Sequence, residues 1–423
     1  MGSILSALAS GFWFLLAARA VQAIGGAAVP GLGMTLASRA FGPQSRGTVL
    51  GVIAATIGGG AAVGPLLGGA LSQSFGWQSV FVATSLAAVT IPFALLVLPR
   101  DEDKSGGKLD LWGGVALGLL VCGVLLVPAE WARAGWSSPI TVAGAAMAMV
   151  GITALLARQI SAVSPFIPRE LMQNVRYLSL IAMGFSVMAA NLSILIALPI
   201  LLTLFHGLSP LEIGLVMLPG AVFSSAFGVL AGKLTDRFGA RLPTWSGAPL
   251  MLAAILALST SADASVMVIA AFTGMLGAGF GLMNTPIAAT VSRIVRGPML
   301  ASALGINSML FFLGGSFGTA VLMAVVNSRA GADVSSLNPF HSGASVGFSD
   351  GFLLLALPVL SAIALSLALP KTVSQAAAPA APAPKPGVSL EWVADCSMPW
   401  VPECVEGAEP VETLAPQPAL AGR

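Results

Sequence analysis

Charge is what this sequence has least of. Only 9% of its 423 residues are Asp, Glu, Lys or Arg, against roughly 25% in an ordinary soluble domain. So few charges cannot clothe a water-facing surface, which excludes a soluble globular protein. Two histidines and one tyrosine, with no acid–base pair inside any apolar run, leave no catalytic constellation, and no enzyme is expected. Cys122, Cys396 and Cys404 are too few for a disulfide framework. Cys122 stands in an apolar run and reads as a small packing residue; the other two have neither a histidine nor a CxxC beside them, so no metal or cofactor is expected. There is no GxxxxGK[ST] phosphate loop, which argues against ATP-driven pumping. Met1 is followed by neither a basic stretch nor a small-residue cleavage site, so no cleavable signal peptide is expected.

What is abundant is apolar: 56% of residues are hydrophobic and the mean hydropathy is +0.92. A membrane-crossing helix needs about 20 such residues. Eleven runs qualify, near 12–37, 48–71, 79–98, 111–128, 139–157, 177–204, 211–231, 244–259, 266–289, 301–327 and 351–369. They are rich in Gly, Ala and Leu and lack period-two alternation, so they predict helices rather than a barrel. Lys and Arg in the connections alternate between two sets. One holds Arg39, Arg46, Arg100, Lys104, Lys108, Arg158, Arg169, Arg176, Lys233, Arg237, Arg241, Arg293, Arg296 and Lys371; the other holds Arg133 and Arg329. The positive-inside rule puts the first set in the cytoplasm, and with it the C-terminus of a multi-pass protein of the cell membrane. After Lys371 the composition changes to a Pro/Ala linker, AAAPAAPAPKP, and an acidic segment that reads as disordered.

An internal repeat is visible at an offset of 254 residues. Gly51, Gly60 and Gly64 fall on Gly305, Gly314 and Gly318, while Gly25 and Ala27 fall on Gly279 and Gly281. The repeat relates helices eight apart, two more than two directly joined six-helix halves require. The expected division is therefore residues 1–98 as the remainder of an N-terminal half, 99–176 as two linker helices, 177–370 as a C-terminal six-helix half, and 371–423 as the tail. Under the same offset Met1 falls on Ile255, mid-helix, so about eleven helices of a fourteen-helix design are expected.

Three strings carry chemistry. The second run reads GAAVGPLLGG, with Gly60, Gly64 and Gly68 on one face, Gly69 beyond them, and Pro65 placed to bend the helix. Such a stripe lets another helix approach closely, and plain packing explains it equally. In the first run Leu15, Arg19, Gln22 and Gly25 surround the one charge well inside a span; an intramembrane arginine should face the interior and find a partner, unless it snorkels from the outer end. Between the seventh and eighth runs come Gly232, Leu234, Asp236, Arg237, Gly239 and Arg241, readable as a topology signal. Asn191, Asn284, Asn307 and Ser308 are uncharged polar groups expected beside a midplane cavity or in interhelical hydrogen bonds. His206 reads as an interfacial histidine. No run carries Asp or Glu in its body.

These strings resemble exporters of the major facilitator superfamily: the second run its gxxxGPxxGG signature, the first its LxxxRxxQGxG pattern, with Ala23 in place of a glycine, and residues 232–241 its GxLaDRxGRR loop, with Ala240 at a usually basic position. Together with LSPLEIG (208–214) and SPFIPREL (164–171) they make residues 1–370 similar to fourteen-helix drug:proton antiporters. The resemblance implies an all-α bundle, export of small lipophilic compounds by proton-coupled antiport, a proton-relay part for Arg19 and Gln22, and a cytoplasmic latch at residues 232–241. Its implied partners are a small-molecule substrate, protons and the bilayer, with no nucleic acid; the oligomeric state stays open, with a monomer expected. Tetracycline-efflux members carry glutamates where Ala61 and Gly315 stand, which weighs against a tetracycline-specific exporter. A facilitator or importer of another solute, or a truncated fragment or scaffold without transport, are the alternatives.

Overall fold

Long apolar runs in lipid must satisfy their own backbone groups, and the computed structural model accordingly contains helices and no strand among the described residues. Those residues are 1–40, 46–97, 110–162, 166–295, 299–329, 335–341 and 343–367. The chain divides into two units, Met1–Val373 and Ser374–Arg423, and the acidic tail of the second lies outside the described residues.

In chain order the helices are α1 (Gly2–Ala7), α2 (Phe12–Ala40), α3 (Arg46–Phe75), α4 (Gln78–Ser85), α5 (Thr90–Val97), α6 (Leu111–Ala134), α7 (Pro139–Ser161) and α8 (Arg169–Gln173). They continue with α9 (Val175–His206), α10 (Pro210–Phe238), α11 (Arg241–Thr260), α12 (Val266–Ile294), α13 (Met299–Arg329), α14 (Val346–Leu354) and α15 (Ala356–Ser366). Among the described residues nine segments are helical, long and apolar enough to cross a membrane. Of the two other expected runs, one lies within the 30 residues of α3, and the other is split by a 3-10 turn at Leu86–Val89 between α4 and α5.

Helix ends follow local chemistry. Ser209 and Glu212 of the LSPLEIG string close a capping box at the start of α10: the Glu212 carboxylate accepts from the Ser209 N–H at 2.8 Å. Gly207 ends α9 in the left-handed region at φ +62°, which glycine adopts without steric cost. The main core is built by α9, α11, α12 and α13, where Tyr177, Leu198, Met251, Ile255 and Phe352 of α14 are among the largest fully buried side chains. Tyr177 donates to the Ala303 carbonyl of α13 at 3.0 Å, so its hydroxyl is satisfied.

Glycine sets the helix spacings. A Cβ on Gly277 of α12 would stand 1.8 Å from the Gly220 carbonyl oxygen of α10, and one on Gly314 of α13 would stand 2.2 Å from that of Phe185 in α9. The second copy of the repeat thus makes backbone-to-backbone contacts. The first copy does not follow it throughout. A Cβ on Gly60, Gly64 or Gly68 would meet nothing within 4 Å among the described residues, contrary to the close-packed stripe expected from the sequence. Gly314 and Gly318 pack on α9, beside Phe185 and Ala189. The close approaches of α3 come instead at Gly51, beside Gly228 and Gly232, and at Gly69, beside Pro210. Both are to α10, so the two helices run antiparallel along their length. Pro65 lies in the same helix α3.

The α6–α7 hairpin is tied at one end by Asp110, which caps α6 through the Gly113 N–H at 3.0 Å and pairs with Arg158 of α7 at 2.7 Å. Cys122 of α6 is exposed, not a packing residue as expected; the hairpin closes on the glycine side instead, where Gly123 abuts Gly144 and Ala148.

Candidate functional site

The four polar residues singled out from the sequence come together. Asn191 of α9, Asn284 of α12, and Asn307 and Ser308 of α13 line one cavity, whose empty space, open side included, is about 1190 Å³. Asn191 is midway along the 32-residue α9, so the cavity sits at the depth where transporters hold solutes. Most of its wall is apolar, with Met188, Met217 and Phe280 among the lining. Pro219 and Pro286 are inside α10 and α12, within two residues of the lining Gly220 and Asn284. Each removes a backbone donor from its helix beside the cavity. Asn307 and Ser308 are buried, and the Asn307 Oδ1 and Ser308 Oγ have no hydrogen-bond partner among the described residues. Thr273, also on the wall, is by contrast satisfied by the Val216 and Ala270 carbonyls.

Below the cavity the helices close. Met34 of α2 and Ala288 of α12 belong to its lining. A small apolar cluster continues from them, with Ala289 fully buried against Met34, Ala37 and Ile53 of α3. At the same level a Cβ on Gly31 of α2 would stand 3.3 Å from the Gly305 Cα of α13. Farther along α2, Gly25 and Gly26 meet nothing among the described residues.

Past this seal is Asp236. Its Oδ2 accepts from both the backbone N–H and the hydroxyl of Thr48, each at 2.7 Å, and its Oδ1 accepts from Arg293 at 2.6 Å. Arg293 also donates to the Thr235 carbonyl at 3.2 Å. Thr48 lies in the first turn of α3, where free N–H groups and the helix dipole favour an anion. One carboxylate of α10 thus ties α3 to α12. The string expected as a loop is mostly helical: Gly232 through Phe238 complete α10, and only Gly239, at φ +83°, breaks the helix. Gly232 is buried against Gly51, Arg237 is exposed, and the Arg241 guanidinium lies 5.1 Å from the Trp245 ring centroid. Thr48 and Arg293 were not recognisable as partners of Asp236: Thr48 is a common residue far away in sequence, and Arg293 counted only as a topology charge.

Arg19 departs from the interior position expected of it. Its side chain is exposed, donates to the Gln22 side-chain Oε1 at 2.8 Å and stands 5.6 Å from the Phe81 ring centroid. Gln22 in turn donates to Ser3 of α1 at 2.9 Å. The reason is that this stretch of α2 has few neighbours among the described residues. His206 sits at the end of α9, as expected, with Nε2 3.0 Å from the Ala264 carbonyl.

Comparison with known proteins agrees with this arrangement. The Major Facilitator Superfamily profile matches residues 1–319. The chain is 29% identical over 333 residues to multidrug resistance protein Stp of Mycobacterium tuberculosis, covering 77% of this chain and 61% of that protein. It is 29% identical over 349 residues to methyl viologen resistance protein SmvA of Salmonella typhimurium, covering 79% and 68%. It is 27% identical over 325 residues to the tetracenomycin C resistance and export protein of Streptomyces glaucescens, covering 74% and 59%. The chain therefore spans only part of the length of the relatives it matches. With three quarters of it under one profile and a helical bundle around a midplane cavity, the chain is a multi-pass membrane protein that belongs to the Major Facilitator Superfamily.

Proposed function

We propose that this protein exports small lipophilic compounds by alternating access, coupled to inward movement of protons. The observation that carries the reading is the stack along one axis: a largely apolar cavity with buried, unpartnered amide and hydroxyl groups, an apolar seal, and an ionic tie. A solute could occupy the cavity while the tie holds one exit shut. The names of the relatives, which speak of drug and antibiotic resistance, point the same way.

On this reading residues 1–98 and 177–370 are the two rocking halves, 99–176 are linker helices, and the tail from 371 lies in the cytoplasm. The Asp236 tie is the cytoplasmic latch. Asn191, Asn284, Asn307 and Ser308 contact the solute, and the hydrogen-bonded Arg19–Gln22 pair relays protons, the role its resemblance to the exporter pattern implies. Expressed in a drug-sensitive bacterial host, the protein should lower accumulation of a lipophilic drug, and collapse of the proton gradient should restore it. Unchanged accumulation across a broad panel contradicts the reading. A second reading, binding without net transport by this chain alone, is favoured by one observation: among the described residues, Met34 is the only one from within 1–97 that lines the cavity. Purified protein in proteoliposomes separates the two, because solute binding without gradient-driven flux supports the second.

A further inference from the structure

Resting on the export reading, we infer that the cavity is selective for uncharged aromatic compounds carrying a hydrogen-bond donor near an acceptor, and that it rejects lipophilic cations. No lining residue among those described is Asp, Glu, Lys, Arg or His. A cation moved from water into such a wall loses its hydration and meets no anion. An uncharged ring system meets neither problem.

The recognition element is one face of α13. Asn307 and Phe311 are four residues apart, as are Ser308 and Phe312, and residues so spaced lie one above the other on a helix. All four line the cavity. Each polar group therefore stands one turn from an aromatic ring. Phe280 of α12 closes on them, its ring 6.3 Å from that of Phe311, which stands 5.5 Å from that of Phe312 in an edge-on arrangement. Asn307 is 5% exposed and Ser308 7%. Their Oδ1 and Oγ atoms are enclosed and have no partner among the described residues, a state that costs free energy until something fills it. The amide oxygen needs a donor, and the hydroxyl can donate to an acceptor. Asn307 and Ser308 are neighbours in sequence and line the same cavity, so the matching groups on the ligand lie against one stretch of α13, with the ring system against the phenylalanines.

The test uses the full chain in lipid nanodiscs and three probes: hydroxymethyl-anthraquinone, its ethyl-anthraquinone analogue substituted at the same ring position, and tetraphenylphosphonium. The hydroxymethyl compound should bind about tenfold or more tighter than the other two. Asn307→Leu should erase the preference for the hydroxymethyl compound over its ethyl analogue, and Ser308→Ala should weaken both, since both keep the ring carbonyls that can accept from Ser308; such a split is a readout that general damage to the fold does not give. Asn307→Asp, which places an anion in the wall, should raise tetraphenylphosphonium binding about tenfold. If the wild-type protein binds the cation as tightly as the hydroxymethyl compound, or if Asn307→Leu leaves the two anthraquinones as well discriminated as before, the selectivity inference fails and the export reading survives. If no probe binds, the cavity reading falls with it.

Discussion

A glycine in a transmembrane helix has two opposite meanings, and only its neighbours tell them apart. Where a second backbone lies against it, a methyl group cannot be admitted; where none does, alanine gains helix propensity, about 0.5–1 kcal/mol in an exposed helix interior. Gly277 and Gly314 belong to the first kind, with backbone carbonyl oxygens 1.8 and 2.2 Å from where a Cβ would stand. Gly60 and Gly64 belong to the second among the described residues. Gly277→Ala and Gly314→Ala are therefore expected to lower the melting temperature of the detergent-solubilised chain sharply, by a change worth about 1–3 kcal/mol. Gly60→Ala and Gly64→Ala should leave it unchanged or raise it. Thermal unfolding of the four variants side by side checks this. The sequence alone could not separate the classes, because the GxxxG spacing is the same in both. The isolated polar residues were easier to read: Asn191, Asn284, Asn307 and Ser308 stand out in apolar runs, and a buried amide there has few uses other than a partner helix or a solute.

At the scale of helices, composition was enough to place nine of the eleven expected spans, because lipid leaves a long apolar run no alternative to a helix, while the 79–98 run is broken by a 3-10 turn. What stayed hidden was how the ends are tied. Asp236 and Thr48 are 188 residues apart, and the contact depends on α3 and α10 running antiparallel. No local pattern encodes that. The Asp110 tie of the α6–α7 hairpin was equally hidden and gives a pH signature. The Gly113 backbone N–H, and after it the Arg158 guanidinium, hold the Asp110 carboxyl below the usual carboxylate range. A group whose folded pKa is depressed adds stability above its unfolded pKa, near 4, and that stability is lost as pH falls through the lower folded value. Asp110→Asn should therefore melt earlier than the parent at neutral pH, and the gap should close as the pH drops below about 4. A gap that persists at low pH would show that the ionised carboxylate is not what Asp110 contributes.

For the molecule as a whole, the account depends on a midplane cavity whose two exits open in turn, with Asp236 holding one of them shut. On the Asp236 side of the cavity α2 comes close to α13, where a Cβ on Gly31 would stand 3.3 Å from the Gly305 Cα, while one on Gly25 or Gly26 would meet nothing within 4 Å among the described residues. Each charge-assisted hydrogen bond at Asp236 contributes about 1.5–3 kcal/mol, enough to move a two-state population by tenfold or more. The most direct measurement is the reach of a membrane-impermeant maleimide to Asn191→Cys, in a chain whose Cys122, Cys396 and Cys404 are alanine. With Asp236 intact, labelling should come from the face opposite Asp236; Asp236→Asn should raise labelling from the Asp236 face at least about tenfold. Equal labelling from both faces in the parent, or a pattern that Asp236→Asn leaves unmoved, would contradict the account.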